Sequence, residues 1–270
     1  MSELKSQTIL HRVDPLWLAV RDGAEQIRKV EPSLSSFVET NILNHDRLED
    51  AVIFRLASRL DHGDVSAYRI REAFSRSLNE DPKIGEAMRV DLAAVLERDP
   101  AVKRAVVPIL YFKGFHALQT HRFAHFLQAE GRRDFALYLQ SRSSQVFQVD
   151  INPLARVGRG VMFDHGTGIV IGETAVIGDN TSVLQGVTLG GTGKESGDRH
   201  PKIGSGVLLG AGAKILGNIK IGHGAKVAAG SVVLKDVPAN KTVAGVPAKI
   251  VGSSGCNEPG CAMDQMLNGK

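Results

Sequence analysis

The sequence predicts two architectures in one chain: a bundle of α-helices up to about residue 147, then a solenoid of short β segments. Two periodicities predict this. In the first part apolar residues recur at three- and four-residue spacing, as in Leu48, Val52, Leu56 and Leu60. After Asp150 they recur every six residues instead. Composition bounds the class: of 270 residues, 43% are hydrophobic and 23% charged, an ordinary globular balance. The expected division is a helical domain over 1–147, a solenoid domain over 148–252 and a flexible tail over 253–270.

Boundary signals justify the helices. Asp14-Pro15 reads as an N-cap followed by Pro at the first helical position, opening PLWLAVRDGAEQIRKV. Asp81-Pro82 and Asp99-Pro100 repeat the device. Ser66 is placed to cap AYRIREAFSRSL. The stretch 100–130 is long for one helix, and Pro108 and Gly114 should kink or divide it. Amphipathic helices of this kind pack as a small bundle.

The solenoid follows from its repeat. Apolar residues stand at Ile151, Val157 and Phe163. They resume two residues out of phase at Ile171, Ile177, Val183 and Leu189. After an insertion they return at Ile203, Leu209, Ile215, Ile221, Val227 and Val233. Glycine follows the apolar residue in seven of these thirteen units. A helix turning every 3.6 residues cannot repeat at six. Short β segments with a tight turn at each unit can, the apolar side chain pointing inward and glycine supplying permissive backbone. Each unit buries its side chain only against units above and below, so the coils stack. The tail, with GSSGCNEPG, has the composition of a flexible segment.

Several function classes lose support. The net charge is +4, the first 149 residues carry 21 basic and 20 acidic side chains, and the remainder 12 and 9. With no block of like charge, nucleic-acid binding is not expected. No apolar run approaches the ~18 residues of a membrane span. The start MSELKSQTIL lacks the basic and apolar regions of a signal peptide, so a cytoplasmic location is expected. The two cysteines, Cys256 and Cys261, form a lone C-x4-C pair in the tail, a poor zinc site. No metal and no permanently bound cofactor are expected. Neither GxxxxGK[ST] nor a GxGxxG between strand and helix is present.

The chemistry-bearing stretch is VMFDHGTGIVIGET, residues 161–174. Asp164 stands where other units carry glycine, His165 follows, and the repeat slips by two just afterwards. Alone, His165 reads as an exposed turn histidine. A rule broken inside a regular repeat points to function instead. An imidazole with an ordinary pKa of ~6.5 takes up and returns a proton near neutrality. An alcohol is a weak nucleophile until a base removes its proton. Such a base needs an orienting partner, and Asp150 and Asp164 are candidates. A second stretch, GGTGKESGDRHPK over 190–202, interrupts the repeat as a protruding loop. Its Arg199 offers a planar fork suited to a carboxylate, with His200 beside it.

These features together resemble a known family. The segments DPAVKRAVVPILYFKGFHALQTHRFAHFLQAEGRRDFALYLQSRSSQVFQVDINP, GRGVMFDHGTGIVIGETAVIGD, QGVTLGGTGKESGDRHPKIG and GAGAKILGNIKIG are similar to hexapeptide-repeat acyltransferases, and among them to the serine O-acetyltransferases of the cysteine pathway. The resemblance spans the helical domain, the solenoid and their order. It implies a left-handed parallel β-helix with three units per coil. It implies acetyl-CoA as co-substrate and L-serine as acceptor, with His165 as base and Asp150 as its partner. It places Asp164 in the serine pocket, Arg199 and His200 on serine, and Asp99 as a candidate for the amine, although Asp99 also reads as an N-cap. Glu173 is a weaker pocket candidate. For the CoA arm it implies Gly191, Ala211 and Ala229, the two alanines one 18-residue coil apart, with Lys226 and Lys249 toward phosphates. It further implies a homotrimer or hexamer, with sites between subunits, and inhibition by L-cysteine. Family members bind cysteine synthase through a tail ending in isoleucine. This chain ends MDQMLNGK, which argues against that partner here.

Three other readings compete. A sugar or amino-sugar acetyltransferase shares the repeat, but the helical domain and GDRHP argue against it. A zinc enzyme on this fold needs three convergent histidines, and the solenoid offers His165, His200 and His223, spaced 35 and 23 apart. A non-catalytic scaffold is compatible with the solenoid alone.

Overall fold

The computed structural model describes residues 14–193 and 196–267, so the N-terminal stretch read for a signal peptide lies outside the described residues. Among them the helices come first: α1 (Pro15–Val30), α2 (Ser35–Val38), α3 (Leu48–Leu60), α4 (Ala67–Glu80), α5 (Lys83–Arg98), α6 (Val106–Tyr111), α7 (Lys113–Ala129) and α8 (Arg133–Phe147). No helix among the described residues is long and apolar enough to cross a membrane.

Two Asp-Pro openers act as caps. Asp14 accepts the Trp17 N–H at 3.1 Å, and Asp81 accepts the Lys83 N–H at 3.1 Å. Ser66 occupies the cap position of α4 but makes no cap bond. Asp61 takes over, accepting the Ala67 N–H at 2.6 Å. Asp99-Pro100 opens no helix. Asp99 ends α5 and its carboxylate accepts the Ala101 N–H at 2.9 Å within a turn. The 100–130 stretch divides at Phe112, which is extended, with φ −83 and ψ 107.

After α8 the chain winds into a parallel solenoid with three faces. The first face carries β1 (Val149–Ile151), β4 (Ile169–Ile171), β7 (Thr188–Gly190), β10 (Lys214–Leu216) and β13 (Val232–Val233). The second carries β2 (Arg156–Val157), β5 (Val176–Ile177), β8 (Lys202–Ile203) and β11 (Lys220–Ile221). The third carries β3 (Met162–Asp164), β6 (Ser182–Leu184), β9 (Leu208–Leu209), β12 (Lys226–Val227) and β14 (Lys241–Gly245), closed by the antiparallel β15 (Ala248–Ser253). The repeat residues Ile151, Ile177, Val183, Leu209, Ile215 and Val227 are all buried along the axis.

Register locates both breaks in the repeat. In the regular coil Leu209 lies beside Val227, 18 residues on. Phe163 pairs with Val183, 20 residues on, and Ile177 with Ile203, 26 on. The two extra residues form the corner after β3. The eight extra form the loop between β7 and β8. Three edges join the faces: edge I from third to first, edge II from first to second, edge III from second to third. The slip lies on edge I and the loop on edge II.

The bundle is fastened to the solenoid by a buried ion pair. Asp91 of α5 is fully buried and accepts from Arg122 of α7 at 2.7 and 2.9 Å, from Gln119 at 2.9 Å, and from the Val161 N–H at 3.1 Å. Arg122 also donates to the Gly158 carbonyl at 2.7 Å. One continuous apolar core runs from Trp17 in the bundle to Val243 in the solenoid.

The tail differs from the flexible segment expected from residue 253. Residues 254–267 lie along the third face and contain the short helix α9 (Pro259–Ala262). The Gly260 N–H donates to the Gly206 carbonyl at 2.9 Å, and its own carbonyl accepts from Ser182 Oγ at 2.6 Å. Buried Arg98 donates to the same Ser182 hydroxyl at 3.1 Å. Gly260 makes this approach possible, since a Cβ there would overlap the Asn180 and Val207 carbonyl oxygens. Backbone hydrogen bonds, which composition does not register, hold the tail in place.

Candidate active site

Edge I carries the base candidate. β3 ends at Asp164, and the two extra residues let the chain turn through His165 at φ +56 before Gly166 at +82 and Gly168 at +74. Positive φ is uncommon for a residue with a Cβ and costs energy that its surroundings must hold. Here the Gly166 N–H bonds the Asp164 carbonyl at 2.6 Å, and the Gly168 N–H bonds the Gln148 carbonyl at 2.8 Å. From outside, α7 presses Gly114 onto the corner. A Cβ on Gly114 would overlap the Phe163 carbonyl oxygen.

The corner opens into a cleft of about 470 Å³ whose lining includes Asp99, Tyr111, Phe112, Gly114, Asp164 and His165. Burial pushes the Asp164 carboxyl above its ordinary range. His165 pulls it down, and Asp99 across the cleft pushes it up again. Two acids facing one cleft favour a bound cation. His165 is exposed to the same space.

Above His165, edge I carries one positive-φ glycine in every coil. Gly168, Gly186, Gly212 and Gly230 stack there, at φ +74, +72, +72 and +69. Their N–H groups donate to the carbonyls of Gln148, Thr167, Gln185 and Ala211, each at 2.8 Å. Ala211 and Ala229 sit on this edge one coil apart, as their spacing implies. An extended ligand with amide groups can lie along such an edge.

Edge II gathers a second set. Arg199 Nη2 donates to Glu173 Oε2 at 2.8 Å, and Nη1 donates to the Gly197 carbonyl at 3.1 Å. Gly191 lies against the Arg199 side chain, so that a Cβ would touch Arg199 Cγ at 3.4 Å. The imidazole of His200 occupies the space where Gly172 has no side chain. Its Nδ1 accepts the Thr174 N–H at 3.2 Å and the Thr174 hydroxyl at 2.9 Å. That hydroxyl in turn accepts the N–H groups of Arg199 and His200, both at 3.1 Å. Burial, followed by nearby Arg199, lowers the His200 pKa. The ring is therefore neutral near pH 7, with Nε2–H as the free donor.

The two sets do not meet within one chain. The first face lies between edges I and II, and none of Glu173, Arg199 or His200 lines the His165 cleft. Asp150 lies at the middle of β1 with its neighbours buried on either side, and accepts from Gln140 Nε2 at 2.7 Å. No hydrogen bond joins it to His165 among the described residues. Lys226 departs from its expected place. It is buried under the tail on the third face, its Nζ 3.5 Å from Asp264 and 3.3 Å from the Met266 carbonyl. Lys249 is exposed on β15. His223 lies on edge III, where its Nδ1 accepts the Ser205 N–H at 3.0 Å. The three solenoid histidines thus occupy three different edges. No group of three or more potential metal ligands occurs among the described residues.

Sequence reasoning missed three contributors. Thr174 fixes the return of the loop, Gly114 admits α7 to the corner, and Tyr111 walls the cleft. Only Gly114 carries a visible signal, a glycine inside a helical pattern, which predicts a kink or division of the helix and not a contact with the solenoid.

Comparison with known proteins agrees with this fold. A family model described as "Serine acetyltransferase, N-terminal" matches residues 16–120, and one described as "Bacterial transferase hexapeptide (six repeats)" matches residues 200–235. The serine acetyltransferase of Salmonella typhimurium is 52% identical over 254 residues, covering 94% of this chain and 93% of its own. A crystal structure of serine acetyltransferase from Brucella abortus in complex with coenzyme A is 59% identical, with a TM-score of 0.89 over 90% of this chain and 98% of that one. One from Neisseria gonorrhoeae in complex with serine is 49% identical, with a TM-score of 0.86 over 88% and 98%. A serine acetyltransferase complex with cysteine is 48% identical, with a TM-score of 0.91 over 93% and 98%. On this likeness in sequence and fold, the chain belongs to the serine acetyltransferase family and is a transferase enzyme.

Proposed function

We propose that the protein transfers the acetyl group of acetyl-CoA to the hydroxyl of L-serine, giving O-acetyl-L-serine and CoA. The observation that carries this reading is the corner at His165, an exposed imidazole facing two acids at the foot of a ladder of stacked glycines. The ammonium of serine lies between Asp99 and Asp164. His165 takes the hydroxyl proton as the serine oxygen bonds to the thioester carbon. The C–S bond then breaks, and His165 returns the proton to the departing CoA sulfur. Asp150 holds the imidazolium once it exchanges Gln140 for His165. A backbone N–H such as that of Gly191 stabilises the oxyanion.

The serine carboxylate needs a cation, and the best-formed fork is Arg199 on edge II. We therefore read the complete site as edge I of one copy facing edge II of a second, which favours a cyclic trimer, joined in pairs by the helical bundles as a hexamer. L-cysteine carries the same ammonium and carboxylate as serine, so it competes for these groups and acts as an inhibitor. The related complexes with CoA, serine and cysteine support this ligand set. The product is an activated serine with acetate as leaving group, suited to the entry step of cysteine formation in the cytoplasm.

The test is thiol release from acetyl-CoA with and without L-serine, beside a panel of sugars and amino sugars. Serine-dependent release is expected. Release that depends on a sugar and not on serine would overturn the reading.

A further inference from the structure

A second cavity of about 360 Å³ lies at the foot of edge III, between α5, α7 and the β2 corner. It shares no lining residue with the His165 cleft. Its size falls in the range of small-ligand pockets. Ile84, Phe126 and Val157 give it an apolar floor. Its rim and wall are cationic or imidazole-bearing: Lys83, Arg159, His121 and His125.

Two observations mark this as more than a crevice. His121 is buried, at 5% exposure, and its Nδ1 has no hydrogen-bond partner among the described residues. Buried polar atoms left so are rare in folded proteins. The charges are also unbalanced. Neither Lys83 Nζ nor the Arg159 guanidinium has a hydrogen-bond or ion-pair partner among the described residues. The one lining acid, Asp81, accepts the Lys83 N–H and keeps its charge, so Lys83 and Arg159 together leave one positive charge in excess. Arg122 is taken by Asp91 and solenoid carbonyls. His125 donates Nδ1–H to the Pro153 carbonyl at 2.7 Å, which orients its ring and leaves Nε2 unclaimed.

We propose that this cavity binds a small organic carboxylate, its apolar body on the Ile84–Phe126 floor and its head between Arg159 and Lys83. The Arg159 fork matches a carboxylate edge-on. The apolar floor excludes a bare inorganic anion as the best occupant. The site stands on α7, which carries Gly114 at the catalytic corner at its other end, yet it is separate from the serine pocket in both edge and residues.

The experiment uses the full-length protein with benzoate as probe, followed by calorimetry and by the imidazole NMR signals of His121 and His125. Benzamide serves as the uncharged match and acetate as the head without the body. The expected result is saturable benzoate binding that shifts both histidines, persists under saturating CoA, and exceeds that of benzamide and acetate. Lys83→Ala with Arg159→Ala should weaken it about tenfold or more, the scale of a lost charge-assisted hydrogen bond. Both positions are exposed, and serine-dependent turnover should be kept. Ala129→Trp, at the exposed mouth, should block binding independently. Equal binding of benzamide, unchanged affinity in both variants, or loss of binding under CoA would each overturn the proposal.

Discussion

At His165, sequence and backbone report the same exception. The residue breaks the six-residue rule, and its φ of +56 is the strain that the break imposes. General acid–base help contributes about 10²–10⁴-fold, so His165→Ala should lose turnover on that scale. CoA affinity should be largely kept, because the glycine ladder above does not depend on the imidazole. Steady-state turnover beside calorimetric CoA binding checks both halves. Asp164 is the complementary case. Its carboxyl is held above the ordinary range by burial and by Asp99, so its charge costs stability in the free protein. Asp164→Asn should raise the melting temperature without ligand and weaken serine binding. A lower melting temperature with unchanged serine affinity would contradict this. Other site residues were less legible. Asp150 is named as a partner by resemblance, but no spacing rule specifies that Gln140 holds it instead. The resemblance sends the Lys226 ammonium toward phosphate, although Asp264 and the Met266 carbonyl cover it. A tail's docking site leaves no periodicity to read.

Among the elements, α7 is the one that ties bundle, corner and junction together. Gly114→Ala would force a methyl against the Phe163 carbonyl. Overpacking of this kind costs about 1–3 kcal/mol, and here the displaced backbone carries His165. Activity should fall further than the loss of stability explains, as shown by turnover measured where the variant is fully folded. Further along α7, Arg122 pairs with Asp91 of α5, and Asp91→Ala would leave Arg122 buried without its partner. Breaking such a pair costs about 3–5 kcal/mol, which denaturant unfolding would register. The solenoid was legible because its period of six admits no helix, and because both breaks fall at corners where extra residues do not disturb the stacked core. The Asp91–Arg122 pair was not. Its members are 31 residues apart on different helices, and in sequence each looks like an ordinary surface charge. Ser66 is a cap by type, while Asp61, five residues before it, accepts the Ala67 N–H instead.

For the whole molecule, two buried histidines set the acid limit. Burial pushes His116 and His121 down to about 3, against an unfolded value of ~6.5. Between those values the unfolded chain binds protons at these two sites that the folded chain does not, so their contribution lowers stability as pH drops from about 6.5 toward 3 and is constant above. The urea midpoint should follow that slope, and His121→Gln should flatten it. The assembly is the other property of the whole. The acid-rich cleft with its base lies on edge I, and the carboxylate fork lies on edge II. In the proposed site, a single chain holds both halves without joining them. Mixing two inactive variants, His165→Ala and Arg199→Ala, after co-refolding tests this directly. If each site takes His165 from one copy and Arg199 from the next, random pairing in a cyclic trimer restores about one-quarter of wild-type activity. Mixed oligomers that form but remain as inactive as the separate variants would contradict the account.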